Sequence, residues 1–144
     1  MATTATITLA SADIAGDPVN VSKTATCTKA GTTTDLDQTI GLNRVHLRST
    51  TNKTLLAANA EGNDLAAKVY IVNKSEDPSL YLTITINAQT VGKLYGGDWM
   101  FFPWSQTDTA ASIEVAATNW TSATGDVPVE YVLFHEDTDY LTNA

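Results

Sequence analysis

Residues 80–87 read Leu-Tyr-Leu-Thr-Ile-Thr-Ile-Asn, the cleanest alternation of apolar and polar side chains in the chain. Because successive side chains of a β-strand point to opposite faces, the Leu and Ile residues share one face and the Tyr, Thr and Asn residues share the other. The pattern therefore predicts a strand with one buried face.

The same alternation recurs on both sides of this run. Residues 67–73 come before it, and residues 113–117 and 127–133 come after it. The turn that contains Pro78 predicts that residues 67–73 and 80–87 form a hairpin. The predicted core consists of Val69, Ile71, Leu82, Ile84, Ile86, Val115, Val129 and Tyr131.

The N-terminal quarter alternates apolar residues with threonines. Ile7 and Leu9 follow this pattern, and so does the stretch up to Cys27, with a turn between them at residues 15–18. We predict two strands with hydroxyl-rich outer faces, followed by a polar loop. Residues 1–37 would thus form N-terminal strands and a loop able to contact neighbours as an arm. Cys27, the only cysteine, is interpreted as a small buried apolar residue.

Three further segments complete the pattern. Residues 42–50 predict a strand with Val45 and Leu47 facing inward. Residues 55–60 are short enough to be either a strand or one helical turn, and we favour a strand. Residues 91–97 are interpreted as a connection.

These segments predict an all-β fold. About one residue in six of the 144 is threonine, which is typical of pleated strands. About eight strands with no convincing helix favour a single antiparallel β-sandwich or jelly-roll-like domain that spans residues 1–144. A chain of this length can build one such core and is too short for two.

Residues 96–104 concentrate four of the eleven aromatic side chains, just after a glycine turn. If this segment is extended, both of its faces are apolar, and the second face needs a cover. Three interpretations are open: ordinary core with Trp99 and Phe101 inside, a subunit contact, or a sugar-binding platform. The candidate interface residues are Trp99, Met100, Phe102 and Trp104. The platform would use Asp98, Trp99, Trp104 and Gln106.

Charge and termini argue against several functions. The net charge is −8, and the eight Lys and Arg residues are scattered singly, so we expect no binding to nucleic acid. Residues 1–10 alternate and carry no Lys or Arg, so we expect neither a signal peptide nor a contact with membrane.

No constellation for catalysis is visible in the sequence. His46 is predicted to face outward on a strand, and His135 to lie at a surface strand end. Acidic loops at residues 35–37, 61–64 and 137–139 lack the twelve-residue calcium pattern and are interpreted as solvated. We therefore predict no enzyme activity, no catalytic residues, no metal site and no cofactor.

Residues 67–136 resemble small β-rich virion proteins of tailed bacteriophages, whereas the first 66 residues show no such resemblance. The resemblance rests on a strand, a turn with its following strand, and a final strand. These carry the motifs Tyr70-Ile71-x-Asn73, Leu94-x-x-Gly97-Asp98-x-x-x-x-Pro103 and Val129-Glu130-Tyr131.

The resemblance implies a non-enzymatic capsid decoration (cement) protein at the capsid surface of the virion. Its partners would be the major capsid protein and other copies of itself, often as a homotrimer. A tail, neck or fibre component is the first alternative, and a carbohydrate-binding module is the second. A hydrolase is a more distant one.

Overall fold

The computed structural model describes residues 2–12, 16, 18–36, 38–58, 66–105 and 111–136. This part of the chain contains no α-helix, and therefore no helix that could span a membrane. It forms eleven strands: β1 Thr4–Ser11, β2 Val19–Thr26, β3 Gln38–Thr39, β4 Asn43–Leu47, β5 Lys53–Leu56, β6 Ala67–Asn73, β7 Leu82–Ile86, β8 Gln89–Leu94, β9 Trp99–Pro103, β10 Ile113–Ala117 and β11 Val127–His135.

Nine of these strands form two antiparallel sheets. A four-stranded sheet has the order β5-β10-β7-β8, and a five-stranded sheet has the order β3-β11-β6-β9, with β4 also pairing with β11. The two sheets share one hydrophobic core, so the prediction of an all-β antiparallel sandwich is confirmed. The strand count is eleven rather than about eight.

The core confirms the faces that alternation predicts. Six of the eight predicted core residues have no exposed surface, while Ile86 and Tyr131 are partly buried and pack against the core. Val69 and Ile71 approach from one sheet, and Ile84 from the other. The buried side of each strand is thus the side whose residues cost least to remove from water.

The predicted hairpin of residues 67–73 and 80–87 is wrong. β6 pairs with β9 and β11, whereas β7 pairs with β8 and β10 in the other sheet. The segment between them crosses from one sheet to the other, and the buried Asn73 side chain holds the crossing. Its Nδ2 donates to the carbonyls of Leu80 and Leu94, at 3.0 and 2.9 Å, and its Oδ1 accepts from Ser75 N at 2.9 Å.

The predicted connection over residues 91–97 is wrong for its first part, because Gln89–Leu94 forms β8. The turn before it has φ of 51° at Asn87 and 57° at Ala88. Two successive residues with positive φ match the two-residue hairpin turn whose twist suits antiparallel strands. The short strand favoured within residues 55–60 is present as the end of β5, Lys53–Leu56.

The aromatic strand β9 begins at a tightly packed glycine turn. A Cβ on Gly96 would lie 2.3 Å from the Asp77 carbonyl oxygen and 2.8 Å from that of Ser75, so a side chain has no room there. Gly97 has φ of +94°, a conformation that suits glycine. The turn is further held by Asp98, whose Oδ2 accepts from Tyr95 N at 3.0 Å. These contacts fix where β9 starts.

Candidate functional site

Strands β1 and β2 form an antiparallel pair outside the sandwich, which we call the arm. Their register runs from Thr4 opposite Thr26 to Ser11 opposite Val19. None of the sixteen strand residues is buried. The arm therefore adds no buried side chain to the core, and its surfaces are available to other molecules.

The two faces of the arm differ in chemistry. One face carries the opposed pairs Ala5–Ala25, Ile7–Lys23, Leu9–Val21 and Ser11–Val19. The other carries Thr4–Thr26, Thr6–Thr24, Thr8–Ser22 and Ala10–Asn20. The hydroxyls of Thr6 and Thr24 lie 2.7 Å apart and share a hydrogen bond. The predicted hydroxyl-rich face is thus one side of an amphipathic ribbon.

The base of the arm is tied to the body of the protein. Cys27 follows β2 directly and is buried, as predicted. Its amide donates to Thr3 O and its carbonyl accepts from Leu36 N, both at 2.9 Å. Ala30 N donates to Glu136 Oε2 at 2.8 Å. Burial raises the pKa of the Cys27 thiol, which favours its uncharged form.

The base of the arm faces an aromatic patch on the outer side of the five-stranded sheet. Tyr70 lies opposite Phe101 in the register of β6 and β9, and Val72 lies opposite Trp99. The rings of Tyr70 and Trp99 are 6.3 Å apart between centroids. Trp99 is 52% exposed, more than any other aromatic residue in the described part of the chain.

Between the arm and this patch lies a cleft of about 490 Å³. Its sheet wall is formed by Tyr70, Trp99 and Phe101. Its arm wall is formed by Ala5, Thr6, Ile7, Lys23 and Ala25. A mostly apolar concavity with a few polar groups is the usual form of a binding site, so the cleft is the candidate functional site of this chain.

The candidate interface residues separate onto two sides of β9. Met100 and Phe102 are partly buried and pack against the core. Trp104 is 4% exposed, and its Nε1 donates to Ala111 O at 2.6 Å. Only Trp99 of the four is exposed at the cleft. The interpretation with Trp99 and Phe101 inside the core is therefore reversed by the structure.

The sugar-platform residues do not converge. Trp104 is buried, Gln106 lies outside the described residues, and Asp98 is engaged in the turn before β9. Trp99 alone keeps an exposed ring. Any stacking surface at this place would instead combine Trp99 with Tyr70, which sequence spacing alone does not bring together.

The histidines lie in different environments. His46 is exposed on β4 as predicted, with Nδ1 3.8 Å from Asp126 Oδ2. His135 is 2% exposed, so its predicted place at the surface is wrong. Its place on β11 is an interior one, since it pairs with Ala67 on one side and Gln38 on the other. Among the described residues no three His, Cys, Asp or Glu side chains form a metal-binding group, while residues 61–64 and 137–139 lie outside them.

Ion pairs join β4 to β11 and its preceding turn, away from the arm. Arg44 contacts Glu130, and Arg48 Nε lies 2.7 Å from Asp126 Oδ1. Hydrogen bonds from these arginines lower the pKa of Glu130 and of Asp126. All four side chains belong to one edge of the five-stranded sheet and have no part in the cleft.

Formal charge is distributed unequally along the chain. In residues 1–34, Asp13 and Asp17 cancel Lys23 and Lys29. Residues 35–144 hold fourteen acidic and six basic side chains and so carry the whole net charge of −8. The arm segment is neutral, whereas the body is strongly acidic.

Sequence reasoning found the arm and the aromatic strand but missed the cleft between them. The feature that marks the cleft is the pair of small residues Ala5 and Ala25, which lie opposite each other and leave space beside the ribbon. Recognising this feature needs the register of β1 with β2 and the position of the ribbon over β9, and neither is encoded in local periodicity.

Comparisons of the chain with protein-family models, with curated proteins and with solved structures find no match. The function is therefore argued from the arm, the cleft and the sandwich that supports them.

Proposed function

We propose that this protein is a non-enzymatic bacteriophage capsid decoration protein, which binds the assembled head and stabilises contacts between major capsid subunits. The observation that carries the proposal is the arm, an exposed amphipathic ribbon tied to a packed sandwich. The resemblance of residues 67–136 to phage virion proteins supplies the identity of the partner.

The hydroxyl face of the arm suits contact with a protein shell. Threonine and serine side chains are short, so little rotamer entropy is lost when they are fixed at an interface. Each hydroxyl can donate and accept, which adapts the face to backbone groups of either kind. The contacts of one copy are weak, and multivalent attachment to a repeating lattice would add them.

The sandwich suits the role of a rigid support. Its core is continuous across both sheets, and the Asn73 side chain ties the crossing between them. A protein that binds only the assembled shell stabilises that shell by mass action. A stiff body is an advantage, because no ordering cost is then subtracted from the binding free energy.

The test is to add purified protein to capsids that lack it, and to measure saturable binding and the temperature of DNA release. We expect binding and a higher release temperature. A variant with Thr6→Asp and Thr24→Asp should bind at least tenfold more weakly, because two carboxylates are placed on the hydroxyl face.

The matched control is Thr90→Asp, on exposed edge strand β8, which should bind as the unmodified protein does. Absence of saturable binding to capsids would contradict the proposal. Binding to isolated tails or fibres instead would establish the first alternative, a tail, neck or fibre component.

A carbohydrate-binding module is the second candidate, and the exposed Trp99 ring beside Tyr70 favours it. Pyranose rings stack on such surfaces through their C–H groups. Saturable binding to a glycan array, lost on Trp99→Ala and accompanied by no binding to capsids, would replace the decoration proposal with this one.

A further inference from the structure

The arm exposes aliphatic side chains along the face that also forms a wall of the cleft. Ile7 is 40% exposed, Leu9 is 50%, and Val19 and Val21 are 40% each. Leu9 and Val21 lie opposite each other across the ribbon, whereas Ile7 lies opposite Lys23 and Val19 lies opposite Ser11. A two-stranded ribbon has no second layer of its own and is marginally stable in water unless this face is covered.

The cleft at the base of the same arm is concave, whereas the aliphatic face of the arm projects from the body. It is about 490 Å³, roughly three times the size of a cavity of about 150 Å³ that holds one benzene. The space exists because Ala5 and Ala25 face the aromatic wall, where larger side chains would fill the gap. Packed layers of a protein do not normally leave such a gap between apolar walls.

The arm cannot fill its own cleft with its own tip. Leu9 lies four residues beyond Ala5 on the same strand, which places it about 13 Å farther along the ribbon. Both strands are continuously paired over this distance, so the tip is held away from the base. A tip that occupies the cleft is therefore the tip of another copy.

The distribution of charge favours the arm of a second copy of this chain as the occupant of the cleft. Two acidic bodies repel each other, whereas the arm segment is neutral, and the strands β1 and β2 hold a single charge, Lys23. Lys23 lines the cleft, so an entering tip meets a cation and not an acidic surface. The sequence between β1 and β2 carries Asp13 and Asp17, whose charge is opposite to that of Lys23.

We infer that the arm tip of one copy fills the cleft of a second copy. Leu9 and Val21 of the tip pack against Tyr70, Trp99 and Phe101 of the receiving subunit, over the space beside Ala5 and Ala25. The tip carries the large aliphatic side chains of Leu9 and Val21, and the base carries the small side chains of Ala5 and Ala25. Every chain therefore has both halves of the contact.

Tip and cleft are different patches, so the contact is head-to-tail. Such contacts either close into a ring or continue as an open chain. The contact goes beyond the proposed function, because it concerns purified protein alone and does not depend on what the assembly binds.

Complementation between two variants tests this geometry. The tip variant carries Leu9→Asp and Val21→Asp, and the cleft variant carries Ala25→Phe, which fills the receiving space. We expect sedimentation of the unmodified protein to show a stable assembly, and each variant alone to associate at least tenfold more weakly. Mixing the two should restore one-to-one dimers, because the cleft variant keeps its tip and the tip variant keeps its cleft.

The matched control carries Thr8→Asp and Ser22→Asp, which adds the same charges to the opposite face of the same arm. It should assemble as the unmodified protein does. Circular dichroism and the thermal midpoint of each variant confirm that the sandwich is folded, which is expected because the arm lies outside the core.

Three outcomes would overturn the inference: an unmodified protein that is monomeric at micromolar concentration, a tip variant that assembles as well as the unmodified protein, and a mixture that gives no dimer. A monomer that needs its tip to bind capsids would make the capsid the occupant. An assembly that forms through the tip without binding capsids would keep the inference and remove the proposed function.

Discussion

The arm and the sandwich contain the same tripeptide with opposite outcomes. Thr6-Ile7-Thr8 lies in β1 and Thr83-Ile84-Thr85 lies in β7, yet Ile7 is 40% exposed and Ile84 is fully buried. Alternation creates an apolar face in both places. Only in the sandwich does a second sheet cover that face, so burial is decided by the layer opposite and not by the strand itself.

The largest expected difference is in amide hydrogen exchange at a concentration where the protein is dissociated. Paired amides of the arm should exchange at least about a hundredfold faster than those of β6 and β11, because the arm can open without exposing the core. Mass spectrometry of peptic fragments would measure this. Equal protection of arm and core in the monomer would remove the distinction between the two regions.

Substitution of a buried and of an exposed asparagine compares the cost of losing hydrogen bonds inside and outside the sandwich. Asn73→Ala should lower the free energy of unfolding by about 3 kcal/mol or more, since two buried carbonyls lose their donor. Asn119 is the matched control: it donates to Ser79 O at 2.8 Å and accepts from Tyr81 N at 3.1 Å, but it is exposed. Asn119→Ala should cost about 1 kcal/mol or less in urea unfolding, because water replaces the lost partner.

Truncating the isoleucine of each tripeptide gives a direct comparison of the layers. Ile84→Ala should lower the free energy of unfolding by about 2–4 kcal/mol, because it empties space between two packed sheets. Ile7→Ala should change the stability of the monomer by about 0.5 kcal/mol. Similar losses at both sites in denaturant unfolding would show that the arm is packed as tightly as the core.

The smallest effect concerns the ion pairs of β4, β11 and the preceding turn. The pKa of Asp126 and that of Glu130 are lowered in the folded state, so their contribution is present above the ordinary carboxyl pKa. It is lost as pH falls through the lowered folded values. Asp126→Asn and Arg48→Gln should each make stability fall less steeply below about pH 4. An unchanged acid profile, measured by thermal midpoint, would contradict this.

Local sequence predicts which side of a strand is buried but not which strand lies beside it. Residues 80–87 show their inner face because Leu82 and Ile84 are fully buried, whereas Tyr81, Thr83 and Asn87 on the other face keep exposed surface. Their predicted pairing with residues 67–73 is wrong, because the crossing between the sheets is held by hydrogen bonds of Asn73, which leave no periodic trace in the sequence. The sequence does not predict β8, because this edge strand contains Gly92 and buries only Leu94 at its end, so its residues have little reason to alternate.

The candidate site is less accessible to sequence reasoning than the fold. The two-faced apolarity of residues 96–104 agrees with the apolar side chains that the structure places on both sides of β9. It cannot tell that Met100 and Phe102 face the core while Trp99 and Phe101 line the cleft, because both alternating sets are equally apolar. The choice depends on the register of β9 with β6, a contact between distant residues.

Lys23 has a consequence for how the protein avoids aggregation. An exposed ribbon with open edges and an aliphatic face can stack on identical ribbons without limit. Lys23 is the one charged side chain in β1 and β2, and it stands in the middle of that face, opposite Ile7. Stacked ribbons would bring these ammonium groups together in apolar surroundings, which is unfavourable. The lysine thus acts as a gatekeeper against the unlimited polymer that the rest of the face would favour.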